Sequence, residues 1–210
     1  KISLSDSFKN LFTNRNYKYG VIAQAFNVGC QIMCWTYIFQ YVDNLNENLG
    51  LNLVATNFNI TAMISFLSGR WIGTALMKRI NPSKMLMYFG LGGMICSLGA
   101  ILLPGIIGLI SLVGISTFMS IMFPTIYGIS LKGMGEESKI GSAGLVMAIV
   151  GGALMPVAQG WILDWGGDGL DDLKIFGFIP EIRFSFILPL FCLSVVSYYG
   201  YLTIRTYTSK

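Results

Sequence analysis

Polar side chains recur every three or four residues within three otherwise apolar stretches of this chain. Because an α-helix turns once in about 3.6 residues, each set projects from one side of a helix. Amides, hydroxyls and aromatic rings at one depth are the groups of a binding wall. Left unpaired in hydrocarbon they are costly, so these polar stripes must face one another or a water-filled cavity. The stripes are Gln24, Asn27, Gln31 and Trp35; Asn57, Thr61, Ser65 and Ser68; and Ser116, Ser120 and Tyr127.

Catalytic groups are scarce in this sequence. The absence of histidine excludes Ser-His hydrolase chemistry, histidine metal sites and histidine proton relays. The ten acidic residues lie outside the apolar stretches or at their ends, so no pair of carboxylates lies at membrane depth. We therefore expect no enzyme activity, no metal and no cofactor.

Neither the cysteines nor the aspartates of the longest loop are expected to form a metal site. The four cysteines fall inside apolar stretches, where packing is favoured over a disulfide, and over a metal pair at Cys30 and Cys34. A later loop carries four aspartates whose spacing does not fit an EF-hand, so a solvated surface is favoured over a calcium site. They are Asp164, Asp168, Asp171 and Asp172.

The elements that must position the polar stripes are membrane-spanning. The chain has 210 residues, of which 54% are hydrophobic and 11% charged, whereas a soluble domain has about 25% charged residues. Six apolar runs of about 18 residues or more can each cross a hydrocarbon layer of about 30 Å. The net charge of +4 comes from scattered basic residues, which excludes a nucleic-acid binder.

The predicted fold is an all-α membrane protein, a six-transmembrane-helix bundle. Helices are expected because a lipid-exposed backbone must satisfy its own hydrogen bonds, and the runs lack the alternation of barrel strands. Turn signals at 81–82, 104–105 and 166–169 agree with the boundaries. We place the spans at 19–42, 54–77, 83–103, 106–131, 140–163 and 184–204.

Basic residues predict the orientation of the bundle. Eleven of the fourteen Lys and Arg residues fall on one side of the predicted membrane, which makes that side and both termini cytoplasmic. Lys78, Arg79 and Lys84 are interpreted first as determinants of this topology and as neighbours of anionic lipids.

Arg70 is the one charge well inside a predicted span. An intramembrane charge is a functional candidate. This arginine lies about 12 Å from the cytoplasmic basic cluster by helical rise, near enough to snorkel or to pair with a carboxylate. We therefore favour a conformational or structural role for Arg70 over contact with a ligand.

Small residues and prolines predict helix packing and bending. Pro124 and Pro156 lie inside spans, where each removes a helical hydrogen bond and can bend the helix or form a gating hinge. Small residues at four-residue spacing let helix backbones approach closely. They are Ser65, Gly69 and Gly73, and Gly144, Ala148, Gly152 and Gly160.

Four sequence segments resemble a known family of membrane proteins. They are Phe-Asn-Val-Gly-Cys-Gln at 26–31 with Cys-Trp-Thr-Tyr at 34–37, Gly-Arg-Trp-Ile-Gly-Thr at 69–74, Ser-Ile-Met-Phe-Pro-Thr-Ile-Tyr at 120–127, and Gly-Ser at 141–142 followed by Val-Met-Ala-Ile-Val-Gly-Gly at 146–152. Together they resemble the L-fucose:proton symporter family of the major facilitator superfamily. The resemblance covers nearly the whole chain and corresponds to the second six-helix half of a twelve-helix transporter.

The resemblance implies a transporter of the bacterial inner membrane with a sugar site at the midplane, between two halves that rock to expose it to each side in turn. It implies proton coupling through carboxylates of the first half. The expected partners are a monosaccharide, protons, membrane lipids and an N-terminal six-helix half. The chain would then divide into a cytoplasmic linker between the halves at 1–18, the bundle at 19–204 and a cytoplasmic tail at 205–210.

A sugar offers hydroxyls around its edge and an apolar face, which suggests roles for the polar stripes. Gln31 and Asn57 are our candidates for hydroxyl partners, and Trp35 or Phe123 for packing on the ring. Tyr127 is an alternative aromatic or a gate. The remaining candidates are Thr61, Ser65 and Ser120, and the conformational candidates are Arg70, Pro124 and Pro156.

Alternatives remain open at the level of sequence. Fucose is preferred by resemblance, but glucose, galactose or another hexose would leave a similar pattern. A different class is a six-span assembly protein or channel without transport activity. A channel would need to oligomerise around a pore, and the sequence contains no selectivity filter.

Overall fold

The structure is a computed structural model that describes residues 11, 13–165, 167 and 174–208. Most of the predicted linker at 1–18 and part of the tail at 205–210 lie outside the described residues. Asp168, Asp171 and Asp172 of the predicted solvated loop also lie outside them. The described part contains six long helical segments packed as one bundle.

Three of these segments are single helices, and the other three are interrupted. The single helices are α1 (Arg15–Leu49), α2 (Ala55–Leu76) and α3 (Pro82–Leu102). The fourth segment consists of α4 (Gly105–Met119) and α5 (Met122–Leu131). The fifth consists of 3-10 turns at Gly135–Glu137 and Ala148–Val150 with α6 (Ser138–Met147) and α7 (Gly151–Leu163). An antiparallel hairpin of β1 (Lys174–Ile175) and β2 (Ile179–Pro180) precedes the sixth segment, α8 (Glu181–Phe184) and α9 (Ile187–Thr208).

Helix α1 is longer at both ends than the predicted span at 19–42. Its N-terminus is capped by Asn14, whose Oδ1 accepts hydrogen bonds from the backbone N–H groups of Asn16 at 3.1 Å and Tyr17 at 3.3 Å. At the other end, Gly50 has a φ of 61°, the left-handed conformation that commonly ends helices. Asn46 holds the connection to α2, since its side chain both donates to and accepts from the backbone of Leu53.

Helix α1 is central to the bundle. It packs against α2, α4, α5, α7 and α9, while α3 packs against α4 and α9. Met33, Ile38 and Tyr41 on its inward side are at most 1% exposed and belong to the main core cluster. The Tyr41 ring packs edge-on against Phe186, with ring centroids 5.8 Å apart. This position gives the polar stripe of α1 neighbours on several helices.

Four helical segments in the described part of the chain are long and apolar enough to cross a membrane. They are Pro82–Leu102, Gly105–Leu131, Gly135–Leu163 and Glu181–Arg205. The first two predicted spans are also helical, as expected, but are not among these four. We attribute this to polar residues, because α1 carries eight side-chain amides among its apolar residues and α2 carries Arg70 with its asparagines and hydroxyls.

A helix interruption lies close to Pro124 in the fourth segment, but not to Pro156 in the fifth. The fourth segment is interrupted at 120–121, and Pro124 lies in the first turn of the helix that follows. In the fifth, α7 continues through Pro156, and the 3-10 turn Ala148–Val150 lies nearly two turns earlier. Helix α7 approaches α1 closely directly after this 3-10 turn, since a Cβ on Gly151 would meet the backbone of Ala25 in α1.

Candidate functional site

Trp35 joins three helices near the middle of α1. Its indole N–H donates to Ser116 Oγ on α4 at 3.2 Å. Its backbone carbonyl accepts a hydrogen bond from Asn59 Nδ2 on α2 at 2.8 Å. Its ring packs edge-on against Phe66, with centroids 5.3 Å apart. We call these four residues, Trp35, Asn59, Phe66 and Ser116, the Trp35 junction.

Next to the junction, Ser65 of the α2 stripe contacts α4. The hydroxyl oxygens of Ser65 and Thr117 lie 2.6 Å apart, a hydrogen bond in which either residue can be the donor. Trp35 and Ser116, which belong to the predicted stripes of α1 and α4, bond to each other directly. Ser65 of the α2 stripe bonds instead to Thr117, which lies outside the predicted stripes. The expectation that the stripes face one another or a water-filled cavity stays a prediction for their other members.

The other members of the α2 stripe lie on the surface of the bundle. Asn57, Thr61 and Ser68 are all exposed. Thr61 Oγ1 donates to the backbone carbonyl of Asn57 at 2.7 Å, and Ser68 Oγ to that of Ile64 at 2.9 Å. These hydroxyls satisfy their donors within the helix, whereas the side-chain amide of Asn57 faces outward.

The amides of α1 point into the bundle. Gln31 Nε2 donates to Asn27 Oδ1 at 3.4 Å, and the two side chains are 9% and 0% exposed. Gln24 is also 0% exposed, and neither atom of its side-chain amide has a partner among the described residues. Of these three amides, Gln31 alone retains some exposed surface. Its predicted place beside a cavity stays a prediction.

Arg70 closes the interruption in the fourth segment. Pro124 has no N–H to donate to the carbonyl of Ser120, four residues before it. Arg70 Nε donates to this carbonyl at 3.1 Å, and its guanidinium lies over the Phe66 ring at 5.0 Å from the centroid. The sequence had suggested snorkelling or a carboxylate partner. The structure instead pairs Arg70 with a backbone acceptor that Pro124 leaves available.

Ser120 lies inside this interruption. It is 0% exposed, and its hydroxyl donates to the carbonyl of Thr117 at 2.6 Å. The structure therefore places Ser120, a predicted sugar contact, away from any accessible surface in this conformation. Helix α2 approaches closely here, because a Cβ on Gly69 would meet the Thr117 carbonyl and one on Gly73 would meet Ile121.

The remaining candidates lie around the same segment and in the fifth. Phe123 and Tyr127 on α5 are half-buried, and Tyr127 packs against a second core cluster that contains Leu11, Tyr17 and Leu145. Tyr127 thus belongs to a different cluster from the Trp35 junction, and its role as an aromatic contact or a gate stays a prediction. The half-buried Pro156 on α7 accepts a hydrogen bond at its carbonyl from Tyr37 on α1 at 2.7 Å.

One acidic residue is more enclosed than its place in the sequence suggested. Glu181, expected at or beyond the end of a span, is 0% exposed at the start of α8. Its neighbours Ile182 and Ser185 are also 0% exposed, because α8 folds back onto the bundle. Ser185 further accepts a hydrogen bond from Gln159 of α7 at 2.8 Å. Burial of this carboxyl could not be inferred from its position beside a polar loop.

Sequence reasoning missed three residues that build the site, namely Asn59, Phe66 and Thr117. None of the three belongs to the predicted polar stripes. A partial signal for Asn59 was the predicted small-residue face with Gly69 and Gly73, because helical spacing puts Asn59 and Ala62 on that side of α2, and all four are buried. The packing face of α2, and not only its polar stripe, therefore contributes to the site.

The chain matches no family model, but it is similar to several curated transporters. The chain is 50% identical over 202 residues to the L-fucose-proton symporter of Haemophilus influenzae, covering 96% of this chain and 44% of that protein. It is 32% identical over 208 residues to the L-fucose-proton symporter of Escherichia coli, covering 99% of this chain and 44% of that protein. A putative glucose/galactose transporter of Helicobacter pylori is 31% identical over 183 residues, covering 86% of this chain and 44% of that protein.

The fold agrees with these sequence comparisons. A crystal structure of the E. coli fucose:proton symporter matches with a TM-score of 0.83 and 30% identity, covering 96% of this chain and 46% of that one. The chain thus spans about half the length of the curated relatives it matches. It is a multi-pass membrane protein that belongs to the L-fucose:proton symporter family of the major facilitator superfamily, and it has the fold of one half of such a transporter.

Proposed function

We propose that this chain is the C-terminal half of a proton-coupled sugar transporter of the inner membrane, which imports L-fucose or a related monosaccharide by alternating access. The observation that carries the proposal is the 50% identity to an L-fucose-proton symporter across 96% of the chain. The motifs at 26–37, 69–74 and 120–127 resemble the second half of that family. The N-terminal half would complete the sugar site and supply the carboxylates for proton coupling.

The geometry of the Trp35 junction suits a sugar. The indole N–H of Trp35 is committed to Ser116, which fixes the orientation of the half-buried ring. A fixed aromatic face can pack on the apolar face of a pyranose, and neighbouring amides can pair with its hydroxyls. Gln31 lies one helical turn from Trp35 on the same side of α1. We assign ring packing to Trp35, with Phe123 as the second aromatic, and hydroxyl recognition to Gln31.

The exposed stripe of α2 extends this surface. Because Thr61 uses its hydroxyl within the helix, the side-chain amide of Asn57 is the group best placed to meet a ligand or the other half. Ser65, bonded to Thr117, positions α2 against α4 in this conformation. We retain Thr61, Ser65 and Ser120 as members of the translocation path that exchange partners when the halves rock.

A second candidate function is transport of glucose or galactose. It is favoured by the 31% identity to the putative glucose/galactose transporter of H. pylori. Sugars that differ in one hydroxyl are distinguished by single hydrogen bonds, so the residues assigned above suit either substrate.

The test is uptake by the full-length protein that contains this chain. Cells or proteoliposomes would be given radiolabelled L-fucose, D-glucose or D-galactose, with and without a protonophore. Uptake of L-fucose that the protonophore abolishes is expected. Preferred uptake of glucose or galactose would favour the second candidate, and no uptake of any of the three sugars would refute both.

A further inference from the structure

A cleft of about 600 Å³ opens between the beginning of α1 and the end of α9. Arg15 and Arg205 line it, and none of the described lining residues is acidic. Tyr19 and Tyr198 contribute exposed aromatic rings to its walls. The Arg15 guanidinium lies over the Tyr19 ring, 6.0 Å from its centroid. The cleft thus combines two positive charges with aromatic surface.

Side chains, rather than the N-terminus of α1, supply the recognition groups of this cleft. The first-turn N–H groups of Asn16 and Tyr17 already donate to Asn14 Oδ1, at 3.1 Å and 3.3 Å. The two guanidinium groups are exposed and present planar sets of N–H donors, which match the oxygens of a phosphate group bidentately. A phosphate-bearing molecule is therefore the ligand chemistry that fits.

The cleft lies where the bundle is expected to leave the membrane. The predicted spans begin at 19 and end at 204, and tyrosines are enriched at the boundary between lipid and water. An apolar surface continues from the cleft along both helices. Ile22 on α1 is 41% exposed and Phe191 on α9 is 55% exposed, beside the edge-on contact of Phe26 with Phe191 at 5.7 Å. This surface suits an acyl chain, which distinguishes a lipid from free phosphate.

We propose that the cleft binds an anionic phospholipid, with Arg15 and Arg205 holding the headgroup phosphate and the adjoining α1–α9 surface contacting an acyl chain. Basic pockets between helices at a membrane surface bind anionic headgroups in this way. The site lies apart from the Trp35 junction and does not depend on which sugar is transported.

The test uses the purified full-length protein in detergent and native mass spectrometry, which resolves each bound lipid. Dioctanoyl phosphatidylglycerol, dioctanoyl phosphatidylcholine and inorganic phosphate are titrated separately. We compare Arg15→Gln/Arg205→Gln with Lys132→Gln/Lys139→Gln, which removes the same charge from exposed positions outside the cleft. A basic residue near an anionic lipid surface contributes roughly fivefold to affinity, so the arginine double variant should bind the tightest phosphatidylglycerol about 25-fold more weakly.

The lysine variant should change this affinity less than twofold, and phosphatidylcholine should bind weakly to all variants. Equal losses in the two double variants would overturn the proposal in favour of diffuse surface charge. Inorganic phosphate binding as tightly as phosphatidylglycerol would overturn the assignment to a lipid. If the arginine double variant does not fold, the single variants Arg15→Gln and Arg205→Gln are measured instead. Each should weaken binding about fivefold, and an unchanged affinity in both would refute the site.

Discussion

Arg70 is expected to stabilise the interrupted fourth segment by taking over the hydrogen bond that Pro124 cannot make. Arg70→Ala removes the donor to the Ser120 carbonyl and the contact with the Phe66 ring. An acceptor left unsatisfied in a buried place costs about 1 to 3 kcal/mol, and an exposed cation–π contact contributes about 0.5 to 1 kcal/mol. We therefore expect Arg70→Ala to lower the free energy of unfolding by about 2 to 3 kcal/mol.

A second substitution makes this explanation specific. Pro124→Ala restores an N–H that can donate to the Ser120 carbonyl along the helix. In that background Arg70→Ala should remove only the cation–π contact, at a loss of about 1 kcal/mol. The double-mutant cycle should thus show a coupling of about 1 to 2 kcal/mol between Arg70 and Pro124.

Unfolding of the full-length protein in detergent is the assay for all four members of the cycle, with the exposed Lys84→Ala as a control. Additive effects of Arg70→Ala and Pro124→Ala would refute the proposed exchange of donors. Sugar binding and transport provide a second measurement. Because Arg70 contacts helix backbone in this structure, equilibrium sugar binding should survive Arg70→Ala while uptake falls. Complete loss of binding in the folded variant would contradict the conformational role.

Three further predictions concern the site and its packing. Gln31→Ala should reduce sugar affinity about tenfold in binding titrations, as expected for one lost hydrogen bond in a buried site. Unchanged affinity and uptake would show that Gln31 does not line the translocation path. Trp35→Phe should retain sugar affinity within about threefold, because it keeps an aromatic ring. It should lower the free energy of unfolding by about 1 kcal/mol, because the hydrogen bond to Ser116 is lost. Equal loss of sugar binding in Trp35→Phe and Trp35→Ala would count against ring packing. Gly69→Ala should destabilise the protein by about 1 to 3 kcal/mol, because a Cβ at this position has no room. The control variant Gly128→Ala should be tolerated, because its Cβ meets nothing within 4 Å. Equal unfolding midpoints for these two variants would contradict the close approach of α2 and α4.

The six helical segments could be predicted from the sequence, but the positions of their ends could not. Apolar length and turn residues predicted all six helical segments, because these signals act within one segment. The extension of α1 to Leu49 was missed, since Asn46 binds Leu53 in a polar region that hydropathy assigns to a loop. Similarly, hydropathy could not indicate that α8 folds back and buries Glu181.

Periodicity predicted which faces of the helices are polar, but only some of the side-chain partners. Periodicity placed Trp35, Ser65 and Ser116 on polar faces, and in the structure Trp35 bonds to Ser116 while Ser65 bonds to Thr117, the residue after Ser116. It could not show that Ser120 turns into a helix interruption, because that depends on Pro124. It also gave Asn59 no role, since its partner is a backbone carbonyl, which every residue has.

The sequence by itself determined that this chain forms apolar helices with polar stripes and, through its motifs, which family it resembles. These properties depend on residues within one or two helical turns of each other, where covalent geometry sets the spacing. Only the tertiary structure decided which stripes meet, what Arg70 binds and which amides are buried. The decisive contacts join residues 24, 50 and 81 positions apart, and such pairs form only when whole helix faces pack against one another.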